Sequence, residues 1–105
     1  MERQPRIHPL KILRVYFEEI LKGTKQFELR KNDRDFHVGD LLMLMEIPTL
    51  SSVFTGRRAI CEVTYVLKDC PEYGLMPGYT VLGIKLRGDL DYDEVWNQWV
   101  DGMKS

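Results

Sequence analysis

The spacing of the hydrophobic residues changes abruptly at Gly23, and this change constrains the fold more than any other feature of the sequence. Before Gly23, apolar side chains recur three and four residues apart over residues 13–22, which predicts one amphipathic helix. After it, Phe27 and Leu29 alternate with polar residues, which predicts a strand. Glycine adopts the left-handed backbone without penalty, so we expect the helix to end and the chain to reverse there. The apolar stripe of the predicted helix consists of Leu13, Tyr16, Phe17, Ile20 and Leu21.

Four other segments have the composition of strands. Residues 7–12 predict an edge strand, because Pro9 has no N–H to donate to a ladder. Residues 41–45 are apolar on both faces, which is typical of a central strand. Residues 59–67 and 79–86 are rich in β-branched side chains and alternate in polarity.

The last part of the chain predicts a second helix. Asp91 and Glu94 have the spacing of a capping box, and they precede an apolar run that we expect to pack back on the body. The sequence therefore predicts an α+β domain: a small, mostly antiparallel barrel of five or six strands, one N-terminal amphipathic helix and a short C-terminal helix. We divide it into a flexible leader (1–6), the domain (7–86) and an acidic helical tail (87–105).

Composition limits the class of protein. The 105 residues suffice for one core, and 44% of them are hydrophobic. No apolar stretch approaches the ~20 residues of a membrane span, and the N-terminus lacks the apolar segment of a signal peptide, so we expect a cytoplasmic protein without membrane contact. Two cysteines, Cys61 and Cys70, are too few for a disulfide scaffold or a four-ligand zinc site. Nucleotide-fold, P-loop, zincin and hydrolase-elbow motifs are absent, and we expect no metal or cofactor.

The charge is divided unevenly along the chain. The first 34 residues carry nine bases and five acids, whereas the remainder carries six bases and eleven acids. Five of those acids lie between Asp89 and Asp101, where there is no lysine or arginine. A basic N-terminal third suits an anionic ligand, and the acidic tail suits a protein partner. The alternative is that the two parts neutralise each other within one fold.

Lys25, Glu28 and Arg30 form the most informative polar pattern. We expect Phe27 and Leu29 to anchor this strand to the core, so that Glu28 and Arg30 project from its other face, ~6–7 Å apart. An ammonium, a carboxylate and a guanidinium held there would suit a phosphate or a base edge. The alternative is a solvated strand face on which Glu28 pairs with Arg30 for well under ~1 kcal/mol.

The run Gly23-x-Lys25-x-x-Glu28-x-Arg30, followed by Val38-Gly39-Asp40, resembles the ASCH domain (activating signal cointegrator homology) of the PUA-like β-barrels. The extension to Phe36 is similar to a small phage and bacterial branch of that family. The resemblance implies a barrel with a cleft beside its first helix, where Lys25, Glu28 and Arg30 face RNA or a nucleotide. The narrower branch adds as binding candidates His8, Lys11, Asn32, Asp33 and Arg34.

The favoured hypothesis is an RNA- or nucleotide-binding module. Arg30, Lys25, Lys31 and Arg34 would contact phosphate, Glu28 would read a base amine, and Tyr79 or Tyr65 would stack on a base.

The alternative is a hydrolase acting on modified nucleosides or RNA, with Glu28 as general base and Lys25 as the anion stabiliser. A family member that hydrolyses acetylated cytidine has threonine at the position of Glu28, which argues against the same reaction here. The sequence alone does not determine the identity of the ligand, whether catalysis occurs, or the oligomeric state.

Overall fold

The computed structural model describes residues 3–104, so Met1 and Glu2 of the predicted leader, and Ser105, lie outside the described residues. No helix within this range is long and apolar enough to cross a membrane. The elements, in chain order, are β1 (Ile7–Leu13), α1 (Arg14–Lys22), β2 (Phe27–Lys31), β3 (Leu41–Ile47), β4 (Arg58–Leu67), a short 3-10 turn (Pro71–Tyr73), β5 (Tyr79–Leu86) and α2 (Tyr92–Lys104).

The strands form one sheet in the order β1-β3-β4-β5-β2, curled into a half-barrel. The β1–β3 pair is parallel and the other three pairs are antiparallel. The predicted α+β class is therefore confirmed, with five mostly antiparallel strands and two helices. The described strands do not close the barrel by backbone pairing, because β1 and β2 are the two edges of the sheet.

Helix α1 ends where the sequence predicts. Gly23 has a φ of 82°, and its N–H donates to the carbonyl of Ile20 at 3.0 Å. The N–H groups of Thr24 and Lys25 both donate to the carbonyl of Glu19 at 3.1 Å. These bonds satisfy the last carbonyls of the helix and reverse the chain into β2.

Each face of the sheet has its own apolar core. On the inner face, α1 packs Phe17 and Ile20 against the strands. On the outer face, α2 packs Val95 and Trp99 against Met43 and Ile60. The side chain of Asp91 accepts the N–H of Asp93 at 2.9 Å, as expected of a helix cap. The strand residues of the inner core are Leu10, Ile12, Leu42, Leu44, Cys61, Val63, Leu82 and Ile84.

Strand β2 has the predicted alternation but the opposite orientation. Phe27 and Leu29 are 50% and 56% exposed on the outer face, whereas Glu28 is buried on the inner face. The prediction that the two apolar residues anchor the strand was wrong, because the register pairs Glu28 with the core residue Leu82. The cations beside Glu28, described below, make its burial tolerable.

A second buried carboxylate joins the N-terminal residues to the sheet. Asp40 accepts hydrogen bonds from Arg3 Nη1 at 2.8 Å and from the backbone N–H of Arg6 at 2.9 Å. The backbone N–H of His37 donates to the same carboxylate at 3.0 Å, and His8 Nε2 lies 2.8 Å from Oδ2. Burial acts to raise the pKa of Asp40, but these hydrogen bonds outweigh it and lower the pKa to about 2.

We predict that Asp40→Asn destabilises the protein by about 2 kcal/mol at pH 7. This is the contribution to folding stability of a pKa lowered from 3.8 to about 2. A depressed folded-state pKa stabilises the protein above pH ~4, and this contribution is lost as the pH falls toward 2. The stability gap between the wild type and Asp40→Asn, measured by urea unfolding, should therefore shrink between pH 5 and pH 2. Asp101→Asn, an exposed matched control, should show no such gap, and a gap independent of pH would contradict the assignment.

Candidate functional site

A cleft of about 530 Å³ lies at the seam between the two edge strands. One wall comes from β2 and the residues that lead into it: Lys25, Phe27, Glu28, Leu29 and Arg30. The other wall comes from β1, the start of α1 and the residues around the end of β3: Lys11, Ile12, Leu13, Tyr16, Ile47 and Leu50. The volume lies within the range of small-molecule sites.

Arginine side chains bridge this seam in place of a backbone ladder. Arg30 Nη2 donates to the carbonyl of Lys11 at 2.6 Å, and Arg34 Nη1 donates to the carbonyl of Pro9 at 2.7 Å. Pro9 has a backbone carbonyl on this edge but no N–H group, so a neighbouring strand could not form all of its backbone hydrogen bonds there. A guanidinium has only donors, which makes it the complementary group for such an edge.

Lys25, Glu28 and Arg30 meet at the polar end of the cleft. Lys25 Nζ donates to Glu28 Oε1, and Arg30 Nε donates to Glu28 Oε2 at 2.8 Å. The Glu28 side chain is almost fully buried, while those of Lys25 and Arg30 keep 14% and 23% of their surface exposed. The carboxylate is thus held by two cations, each of which also reaches the cleft.

The turn after α1 places Lys25 between two aromatic rings. Its Nζ lies 5.4 Å from the Tyr16 ring centre and 4.8 Å from that of Phe27, and it donates to the Phe27 carbonyl at 2.6 Å. Both rings are about half exposed and line the cleft. The ammonium therefore lies beneath an apolar mouth and is fixed by cation–π contacts as well as by Glu28.

The cleft carries net positive charge within apolar walls. Among its lining residues, three cations (Lys11, Lys25 and Arg30) face one carboxylate, Glu28. Arg30 uses two of its five N–H donors on Glu28 and Lys11, and the others have no hydrogen-bond partner within residues 3–104. The site can therefore accept an anionic group at one end and a planar apolar body at the other.

The two cysteines take no part in this chemistry. Burial raises the pKa of the Cys61 thiol to about 12, and the nearby charge of Glu28 acts in the same direction. Cys61 is thus a protonated core residue. Cys70 is a free, partly buried thiol just before the 3-10 turn. Residues 3–104 contain no cluster of three or more His, Cys, Asp or Glu side chains able to hold a metal ion.

The other predicted site residues are distributed over three places. Lys11 lines the cleft, and Arg34 bridges the seam. Lys31 and Tyr79 are paired on the outer face, while Asn32 donates its backbone N–H to the carbonyl of Gly78. His8 does not line the cleft, because Asp40 and the Phe36 ring hold it in the buried network beneath β1. Asp33 is exposed and faces Arg34, 4.0 Å from its Nε.

The apolar part of the cleft was not predicted from the sequence. Tyr16 was assigned to the buried stripe of α1, yet it is half exposed at the cleft mouth. Leu50 lies in a loop and is 85% exposed. The sequence does contain a signal for Tyr16. It is an aromatic residue at the side of the apolar stripe of the helix, and a lysine follows that helix.

Comparisons with known proteins identify the family but no activity. A family model described as "Domain of unknown function (DUF3850)" matches residues 7–84. A protein of Escherichia phage P2 described as "Uncharacterized 12.9 kDa protein in GpA 3'region" is 41% identical over 61 residues, which are 58% of this chain. The chain spans about half the length (54%) of this curated relative.

We predict that Glu28→Gln lowers the free energy of unfolding by about 2–4 kcal/mol, because it leaves two partly buried cations without their carboxylate. Chemical denaturation followed by circular dichroism would measure the effect. Glu72→Gln, at an exposed glutamate of the 3-10 turn, is the matched control and should change stability by less than about 0.5 kcal/mol. Equal stabilities for the two variants would show that Glu28 behaves as a surface ion pair.

Proposed function

This chain belongs to the DUF3850 family, and from its cleft we propose that it binds RNA or nucleotides through a phosphate and a base. The anionic group would contact Arg30 and Lys11, and the base would lie between the apolar walls. The proposal includes the ASCH, PUA-like assignment. It is supported by a five-stranded half-barrel in which Lys25, Glu28 and Arg30 of the G-x-K-x-x-E-x-R run line a cleft beside the first helix.

The observation that carries this proposal is the combination of unused guanidinium donors with aromatic and aliphatic walls in one cleft. A simple inorganic anion would need the cations but not the rings of Tyr16 and Phe27. An uncharged apolar ligand would need the walls, but it would leave the three cations without a new partner. A nucleotide uses both, because it joins a phosphate to a planar ring with polar edges.

The geometry favours binding over hydrolysis. Both oxygens of Glu28 already accept hydrogen bonds from cations, so a substrate proton could reach the carboxylate only after one of these bonds was broken. Lys25 Nζ donates to Glu28 and lies between two rings, which suits an electrostatic role and not a nucleophilic one. Glu28 therefore serves to hold Lys25 and Arg30 in position for the ligand.

We predict that the protein binds nucleoside 5′-monophosphates more tightly than the corresponding nucleosides, and that Arg30→Ala weakens monophosphate binding about 10- to 100-fold. This range corresponds to loss of the charge-assisted hydrogen bonds of one guanidinium. Isothermal titration calorimetry with the four ribonucleoside monophosphates would measure it. Lys11→Ala, whose side chain is exposed, should weaken binding without affecting the fold.

Arg6→Ala is the matched control, because it removes one exposed guanidinium outside the cleft and should leave the dissociation constant unchanged. Circular dichroism melting of each variant separates loss of binding from loss of fold. Equal affinities for nucleosides and monophosphates, or unchanged affinity in both Arg30→Ala and Lys11→Ala, would contradict the proposal.

A further inference from the structure

Part of the outer face of the sheet has no covering helix. Helix α2 packs on the part formed by β1, β3 and the first half of β4, where Met43 and Ile60 are buried. Beyond it, β2, β5 and the second half of β4 expose apolar side chains, which we call the open face. Its members are Phe27, Leu29, Tyr65, Leu67, Tyr79 and Val81.

The open face is arranged in rows across the strands. Phe27 and Tyr65 are both register partners of Gly83, so they flank a position that carries no side chain. Leu29 and Leu67 flank Val81 in the next row. Tyr65 and Leu67 are 63% and 41% exposed.

Two features of the backbone turn Tyr65 outward. The register of β4 shifts between Val63 and Tyr65, so Thr64 is an extra residue and the alternation of the strand is reset. Gly83 provides the room for this bulge, since a Cβ there would lie 2.9 Å from Thr64 Oγ1 and 3.1 Å from Tyr65 Cβ. Without the shift, Tyr65 would point into the inner core with Val63.

The row through Gly83 presents one exposed aromatic side chain on each side of β5. Phe27 and Tyr65 stand two strands apart, about 9.6 Å between their backbones. Thr64 Oγ1 and Tyr65 Cβ already lie close above Gly83, so flat groups of a ligand would stack on the exposed rings and not between them. The adjacent aliphatic row offers an apolar floor for a neighbouring group.

The charge and the exposed area of the open face indicate whether it suits a small ligand or a second copy of this chain. Lys31 lies at one end without a salt-bridge partner in residues 3–104. Lys85 lies at the other end, beside Glu62 and Asp89, both of which are paired with Arg87. Its four most exposed side chains offer on the order of 400 Å², given about 200 Å² for each whole side chain. A stable dimer needs roughly 800 Å² per partner. A small, flat and anionic ligand matches both properties better than a second copy does.

We infer that the open face is a second base-binding surface, and that the ligand of this protein is a single-stranded nucleic acid and not a free nucleotide. The inference rests on the proposed function of the cleft. Phe27 connects the two sites. Lys25 lies over the Phe27 ring in the cleft, and Gly83, which is the register partner of Phe27, lies on the open face. A strand with its phosphate at Arg30 continues past Phe27 onto Tyr65, with Lys31 and Lys85 beside its backbone.

The test compares uridine monophosphate with the octamers U8 and dT8, using calorimetry for the monomer and fluorescence anisotropy for labelled octamers. Tyr65→Leu keeps an apolar side chain but removes the stacking ring, and it should weaken octamer binding about 5- to 100-fold. The same variant should leave monophosphate binding unchanged. Tyr73→Leu, at an exposed tyrosine outside the sheet, is the matched control and should change neither.

Comparison of U8 with dT8 shows whether a ribose is required, and either preference fits the inference. If the monophosphate binds and Tyr65→Leu leaves octamer affinity unchanged, this inference is wrong while the proposed function stands. If neither monophosphate nor octamer binds, the proposed function fails and the inference fails with it. If sedimentation shows a dimer that Tyr65→Leu converts to monomers, the open face is an interface between copies and the inference is overturned.

Discussion

The hydrogen bonds of Arg30 hold the two edge strands of the sheet in their positions on either side of the cleft. The Arg30 guanidinium donates to the buried carboxylate of Glu28 and to the carbonyl of Lys11 on the opposite edge of the sheet. A backbone ladder would have drawn β1 and β2 to about 4.8 Å and removed the cleft. A long side chain satisfies the same acceptor while keeping the strands apart, so the cleft is a consequence of joining two edges by arginine.

The burial of Glu28 follows from this arrangement. A carboxylate on the inner face is costly unless its charge is compensated and its lone pairs are used. Lys25 reaches it from the turn after α1, and Arg30 reaches it from the same strand, so both oxygens are satisfied. The three groups together carry one net positive charge, and Lys11 adds another at the cleft wall. An incoming anion therefore meets a preorganised positive site, and the cost of ordering the two cations is already met in the free protein.

Local patterns in the sequence were sufficient to predict most elements but not their orientation. The end of α1 at Gly23 and the two-sided burial of β3 follow from backbone preference and periodicity, which are local properties. The face that β2 presents to the core depends on its register with β5 and on cations supplied from two sides. An alternating pattern gives two faces but does not say which is buried, and the apolar face was the wrong choice here.

Long-range polar contacts account for the other difference between expectation and structure. His8 looked like a ligand-binding residue because of its sequence context, yet it belongs to a network centred on Asp40, 32 positions away. The parallel pairing of β1 with β3 creates that contact, and a sequence of this length does not specify such a pairing locally. Similarly, no alternation rule could place Tyr65 on the outer face, because the shift at Thr64 breaks the alternation on which the rule depends.

The exposed apolar residues of β2 have a physical explanation once its two faces are considered together. An edge strand with two exposed hydrophobic side chains is an aggregation hazard, unless its edge is blocked or a ligand covers it. Arg30 and Arg34 block the edge by bridging it to β1, so Phe27 and Leu29 can remain outward without inviting a further strand. Because side chains alternate, Glu28 and Arg30 of this strand point into the cleft, whereas the exposed Phe27 and Leu29 line its mouth and extend onto the open surface. The nucleic acid strand that we propose as ligand would use both surfaces, because it alternates charged phosphates with flat bases.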